Sequence, residues 1–308
     1  MNTIRPCGCK GVRTCLQCEK DFNILKPSLQ NQLKKLQAFS FCPICERLFE
    51  GWDPWEVRAQ HPEHNNVEGL PFSGIYVEEQ FLSTTEGEML IQSLDALPWA
   101  TSQSGRRKQN FGPKTNFRQR KLKNGTFNGF PQSTRFIQER LRQVPLLADF
   151  QTIEQCSLEY EPSKGASIDP HVDDCWIWGE RVVTVNCLGD AVLTLTAFDA
   201  SATPTKYNLD LVSKYDKQLI LPLIDKEEFD LFKEKVIRVP MPNLSLIVMY
   251  GPPRYQFEHS VLREDIKTRR VCIAYREFTP MYIDGEDKLK GNEVTLNAQN
   301  YWLDMKEL

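Results

Sequence analysis

Apolar and polar positions follow two different periods along this chain. From about residue 151 the period is two. Cys156, Leu158 and Tyr160 alternate with polar neighbours, as in a strand with one face buried. Residues 181–188, 191–198, 217–223, 236–239, 244–250 and 270–276 read as further strands, with a short helix over 226–235 between them. Many short strands separated by turn signals predict an all-β barrel or two-sheet jelly roll. Upstream the period is helical. Leu90, Leu94 and Leu97 share one face behind a capping box at Ser83-Thr84-Thr85-Glu86, and Pro98 ends that helix. A second helix is predicted over 134–144, with Ile137, Leu141 and Val144 on one face. Residues 72–81 are strand-like, and a further helix is expected over 27–38. The expected class is mainly β with flanking helices.

The chain has 308 residues, enough for one large domain with extensions or for two. The pattern places a Cys-rich module in 1–70 and the strand-rich domain in 71–308. With 41% apolar and 26% charged residues, a fibrous or wholly disordered chain is excluded. The longest apolar run, 246–250, is far short of a membrane span, so no membrane association is expected. The segment Met1 to Cys7 lacks the apolar stretch of a secretory signal.

Charge is unevenly distributed. Between Ala96 and Gln138 there is no Asp or Glu but nine Lys or Arg, which leaves the remainder at −12 against a total of −3. A basic segment on an acidic body suggests an anionic partner; a solvated loop is the plain alternative. Gly105, Gly112-Pro113, Asn124-Gly125 and Gly129 make the segment loop-like.

Ten cysteines without a secretory signal read as metal ligands or core residues. Cys7, Cys9, Cys15 and Cys18 can supply the four thiolates of a structural Zn(II) site. Cys42, Cys45, His61 and His64 offer a second set of two thiolates and two imidazoles, although its H-x2-H spacing is tighter than the usual x3–5. Such a module either binds a partner or braces the barrel.

His171-Val172-Asp173 is the sharpest local feature. In extended backbone its imidazole and carboxylate point to one face. With His259, beyond a late apolar strand, it would form a facial triad that leaves coordination positions open on Fe(II) for a cosubstrate and dioxygen. Arg270, Cys272, Ala274 and Arg276 share one parity of the last strand, and Val271, Ile273 and Tyr275 take the other. Two inward arginines need carboxylates, from the protein or from a dicarboxylate ligand.

These motifs, with the stretch from Ser245 to His259 and the R-x5-R pair, resemble the AlkB group of Fe(II)/2-oxoglutarate-dependent dioxygenases over about residues 72–278. The resemblance implies a double-stranded β-helix core, with iron held by His171, Asp173 and His259. Arg270 would bind the distal carboxylate of 2-oxoglutarate. Arg276 would support its near end and the iron ligands, and Tyr160 would hydrogen-bond the cosubstrate. The implied reaction is oxidative demethylation, in which 2-oxoglutarate becomes succinate and an N-methyl carbon leaves as formaldehyde. Three stretches, at 7–19, 102–114 and 168–181, resemble the branch of the fourth mammalian-type AlkB homologue. That branch is associated with methyl-lysine of actin and with 6-methyladenine in DNA, and with cytoplasm and nucleus. The expected substrate is a protein methyl-lysine, with 6-methyladenine in DNA as the alternative, and the chain is expected to act as a monomer.

The chain departs from the family at Leu158 and Cys272, where an Asn often contacts 2-oxoglutarate, and at Cys175, where the bacterial enzyme reads a flipped base with Asp. The basic segment lies where the family places its substrate lid, here 101–130, with Arg106, Arg107, Lys108 and Lys114 as lid residues. Phe111 and Phe117, interleaved with these cations, suit single-stranded nucleic acid or an acidic protein surface. Trp176 and Trp178 read either as core or as walls of a substrate pocket. A binding protein with an idle iron site is the competing class.

Overall fold

The computed structural model describes residues 5–65, 68–123 and 125–303. Met1 to Ile4 of the amino-terminal segment and Asn124 of the expected Asn-Gly turn lie outside them. Two seven-stranded sheets face each other. One runs, from edge to edge, Ile168–His171, Phe257–Val261, Ala191–Ala197, Lys235–Met241, Gln37–Cys42, Arg47–Glu50, Leu70–Pro71. The other runs Ile75–Glu78, Ser245–Met249, Trp178–Leu188, Arg270–Phe278, Glu154–Tyr160, Arg106–Phe111, Ala100–Thr101. This is the predicted jelly roll.

The alternation is real, yet both faces of the second sheet are buried. Tyr160, Val182, Ile247 and Cys272 point between the sheets against Leu195, Ile237, Val239 and Phe257. Val183, Val185, Val271, Ile273 and Tyr275 point outward, under Leu90, Leu94, Ile137 and Leu141. Those four belong to helices Thr84–Ala96 and Arg135–Leu141. Each such side chain, fully buried, contributes roughly 1.5–3 kcal/mol.

The capping box forms as expected. Ser83 Oγ accepts from the Glu86 amide at 3.2 Å, and Glu86 Oε2 accepts from the Ser83 amide at 2.8 Å. Glu86 also pairs with Arg140 of the second helix, whose Nη1 donates to the Phe81 carbonyl at 2.7 Å. One carboxylate therefore caps one helix and fastens the other.

Four expectations change. Residues 217–223 form no strand. The chain makes a 3-10 turn at Asp216–Gln218, and the amides of Ile220 and Leu221 then donate to the Glu180 carboxylate, at 2.7 and 3.2 Å. A side chain has replaced the missing neighbouring strand. The helix expected over 226–235 stops at Asp230, because Lys235 begins a sheet strand. The helix over 27–38 covers only Leu29–Leu33, because Gln37–Cys42 pairs parallel with Lys235–Met241. That pairing also carries the first sheet across residue 70, so the Cys-rich part and the barrel share one hydrogen-bonded layer. Finally, the basic segment is largely structured. Arg106–Phe111 is a sheet strand, and Lys114–Asn116 with Lys121–Lys123 forms a separate hairpin.

Arg140 and the cap hold the Glu86 carboxyl down to about 2, from an ordinary 4.5. Its stabilising contribution is fully present above pH ~4.5 and is lost as pH falls toward 2. Glu86→Gln should therefore lower stability at neutral pH by about 1 kcal/mol. Urea unfolding of both proteins at falling pH should show the difference closing over that window.

Candidate active site

His171 ends one edge strand and pairs directly across with His259 in the next. Asp173 follows in the loop. One ligand atom from each of the three lies within 4.8 Å of the others, and the two imidazole centroids are 4.2 Å apart. The Asp169 carbonyl can only accept, so His171 Nδ1 carries the proton of their 2.9 Å hydrogen bond. That leaves Nε2 as a lone-pair donor, 3.7 Å from Asp173 Oδ1. Burial alone would raise the Asp173 pKa. The charge of Arg276, and then the neighbouring imidazoles, outweigh it and hold the carboxyl well below its usual range. Burial, and then His171, push His259 well below the usual histidine value. Near neutral pH the pair is an ionised carboxylate and a neutral imidazole, the forms that ligate a metal.

Both arginines lie on the inward parity, as predicted, but their partners differ. Arg276 donates to both Asp173 oxygens, at 2.9 and 3.3 Å, and to Glu154 at 2.7 Å. It supports an iron ligand and is already balanced by protein carboxylates. Arg270 has no carboxylate among the described residues. Its Nε donates to Asn186 Oδ1 at 2.8 Å, its guanidinium lies 4.7 Å from the Tyr160 ring centre, and its Nη1 is buried without a partner. A carboxylate is the acceptor that this guanidinium lacks. Asn186 is held in turn by donating to the carbonyls of Gly189, Met241 and Pro242.

Asn186 and Glu154 escaped the sequence reading. The signal for Asn186 is the one amide of its strand, at the inward parity it shares with Val182. It pairs across from Cys272, which itself pairs across from Leu158. An amide thus stands beside the two positions where the family's Asn is missing. Arg254 was read only as part of a motif. It is fully buried and donates to the carbonyls of Asp173, Trp178 and Gly179, at 2.9, 3.0 and 3.1 Å. It pins the loop that presents Asp173. Gly251, which opens its turn, has φ +56°, and a Cβ there would come within 2.7 Å of Leu221.

Trp176 and Trp178 are both buried in a cluster with Phe278 and Tyr282, which favours the core reading. Of the lid residues, Arg107 is engaged by Glu159, which Arg269 shares. Arg106 donates to the Gln103 carbonyl and lies 5.9 Å from the Tyr160 ring centre. Lys108 and Lys114 are exposed, as are Arg118, Arg120, Lys121 and Lys123 of the hairpin. Phe117 at its tip is about half exposed and meets Trp176 edge-on at 6.3 Å.

Both cysteine sets come together, each with its ligand atoms within 4.8 Å. Cys9, Cys15 and Cys18 are buried in a cluster whose only other apolar member is Cys7, so the set can hold zinc where no other core exists. This module lies against the barrel. Glu19 pairs with Arg263 at 2.8 Å, Arg13 donates to Gln103 at 2.7 Å, and Lys26 holds the Asp169 carboxylate at 2.8 Å.

A jelly roll with a His-Asp-His set and, buried between its sheets, an arginine with an unmatched donor defines the iron- and 2-oxoglutarate-dependent dioxygenase class. The chain is 35% identical to mouse alpha-ketoglutarate-dependent dioxygenase alkB homolog 4, covering 97% of this chain and 95% of that one. Identity to the human protein of the same name is 37%, covering 92% and 89%. A DNA N6-methyl adenine demethylase of Caenorhabditis elegans is 28% identical, covering 91% and 89%. The chain belongs to the AlkB family of alpha-ketoglutarate-dependent dioxygenases, in the alkB homolog 4 branch, and its cofactors are Fe(II) and 2-oxoglutarate. No family model matches the chain. The solved structure of OsALKBH1 superposes with a TM-score of 0.39 at 12% identity, covering 67% of this chain and 97% of that one. Among the described residues no helix is long and apolar enough to cross a membrane.

Arg276→Met would leave Asp173 and Glu154 as buried, unbalanced carboxylates. Loss of about 3–5 kcal/mol of stability is expected, and Glu154→Gln in the same chain should restore part of it. Chemical unfolding of the metal-free proteins measures both.

Proposed function

We propose that this dioxygenase removes methyl groups from nitrogen, with methylated adenine in DNA as its substrate. The observation that carries the dioxygenase chemistry is the complete His171, Asp173 and His259 set, with Asp173 held by Arg276, and, at the same parity of Arg276's strand, a buried Arg270 whose Nη1 has no acceptor among the described residues. When bound, Fe(II) with 2-oxoglutarate and dioxygen oxidises the N-methyl carbon while 2-oxoglutarate loses carbon dioxide to become succinate; the hydroxylated methyl then leaves as formaldehyde. His171, Asp173 and His259 hold the metal. Arg270 binds the distal carboxylate through its free Nη1, oriented by Asn186 and backed by the Tyr160 ring. Arg276 keeps Asp173 ionised and aimed. Arg254 fixes the loop that carries it.

The exposed cations of the hairpin, with Phe117 at the tip, supply phosphate contact and base stacking of the kind single-stranded DNA needs. The relationship to a DNA N6-methyl adenine demethylase supports the same choice. A methyl-lysine on an acidic, actin-like protein is the second reading. It is favoured by Cys175, which is buried against the Asp173 carbonyl and Arg254, so that no carboxylate at that place reads a base.

A competition assay separates the two. Protein, Fe(II), 2-oxoglutarate and ascorbate are mixed with 6-methyladenine DNA and methyl-lysine actin together, and mass spectrometry counts methyl loss from each, with His171→Ala as the blank. Loss from DNA alone is expected, and charge reversal of Lys121 and Lys123 should suppress it. Loss from actin alone would overturn the DNA assignment while keeping the chemistry. Absence of succinate would overturn the enzyme reading in favour of a binding protein. Arg270→Lys should raise KM for 2-oxoglutarate by roughly 10- to 100-fold, through loss of the forked contact. Asn186→Ala should act in the same direction and leave the metal-binding residues intact.

A further inference from the structure

We propose that Cys42, Cys45, His61 and His64 form a second structural zinc site, independent of the first cysteine cluster and of the dioxygenase chemistry. The four residues come from two separate pieces of chain. Cys42 is the last residue of strand Gln37–Cys42, and Cys45 lies in the tight turn that leads back into Arg47–Glu50. His61 and His64 follow helix Pro54–Ala59.

The distances fit a tetrahedral ion, and two thiolates with two imidazoles are a donor set that suits zinc. Zinc–sulfur and zinc–nitrogen bonds of about 2.3 and 2.0–2.1 Å, set at tetrahedral angles, require sulfur and nitrogen to stand about 3.6 Å apart. Cys45 Sγ lies 3.5 Å from His64 Nδ1, and Cys42 Sγ lies 3.9 Å from His61 Nδ1. The four ligand atoms all fall within 4.8 Å of one another. Both imidazoles turn Nδ1 toward the thiols, with their ring planes nearly perpendicular at 86°. The short H-x2-H spacing, which departs from the zinc-finger pattern, matches histidines held in a loop after a helix. Phe49 stacks on the His64 ring with centroids 3.9 Å apart and fixes its plane.

The surroundings give the site a structural task. Helix Pro54–Ala59 is only six residues long and is held by its Asp53 cap, by buried Val57 and by an Arg58–Glu79 pair. Zinc would tie its carboxyl end to the strand hairpin. Just ahead of the helix, the Trp52 ring lies 4.3 Å from the Arg238 guanidinium, and its carbonyl accepts from Arg238 Nε at 3.2 Å. Arg238 reaches Thr194, in the strand beside the one that carries His259. The clip therefore closes the outer end of the metal-bearing sheet.

Metal analysis of the purified full-length chain tests this. Cys42→Ser with Cys45→Ser should lower zinc by one ion per chain relative to wild type, and His61→Ala with His64→Ala should do the same. Cys7→Ser with Cys9→Ser should remove a different ion, so that the losses add. Any metal in the iron site is common to all the proteins and cancels in the difference. Unchanged zinc in the Cys42/Cys45 variant would overturn the proposal. Should that variant not fold, cobalt substitution of the Cys7/Cys9 variant replaces it. Thiolate-to-cobalt absorption from a tetrahedral site is then expected from Cys42 and Cys45, and its absence overturns the proposal equally.

Discussion

A guanidinium cannot be buried in a β-barrel without acceptors, and the interior of this one is organised around meeting that demand. Arg238, Arg254 and Arg270 are among the largest fully buried side chains, and Arg276 lies close by. Each is satisfied differently. Arg238 has a forked contact to Asp265, the Thr194 hydroxyl and the Trp52 ring. Arg254 has three backbone carbonyls and, among the described residues, no carboxylate. Arg276 has two carboxylates, one of them a metal ligand. Arg270 has an amide oxygen and an aromatic face, and one donor remains unmet. Counting acceptors separates the three that hold the fold from the one that awaits a ligand.

The same count explains what could be read from the chain. The strand parity of residues 270–276 was legible because alternation in a strand is local. So was the helix start at Ser83, because the capping box lies within four residues. The metal set was legible because only four histidines exist and two of them frame apolar strands. Asn186, Glu154 and the tasks of Arg254 were not, because their meaning lies in partners 84, 122 and 75 to 81 residues away. Residues 217–223 were misread for a related reason. Their apolar pattern suits a strand, but strand formation depends on a free sheet edge, and here the Glu180 carboxylate supplies the acceptors instead.

The amino-terminal seventy residues touch the metal-bearing sheet at both ends. The first cysteine cluster lies against the Ile168–His171 edge, where Lys26 neutralises the Asp169 carboxylate while the carbonyl of the same residue orients His171. The second set lies toward the opposite edge, on the hairpin from Gln37 to Glu50 that belongs to the same sheet. A region that the sequence allowed to be either a binding module or a brace is built as a brace at both contacts.

The parallel pairing of Gln37–Cys42 with Lys235–Met241 has a consequence for how the chain is made. Its two strands leave the ribosome at widely separated times, and closing so long a loop is slow. Until Lys235–Met241 emerges, the early strand has no partner on that side, and it carries Phe39 and Phe41 with Ser40 between them. An apolar edge waiting that long is a template for intermolecular pairing. A metal clip that folds residues 37–65 locally would shield the edge during that interval.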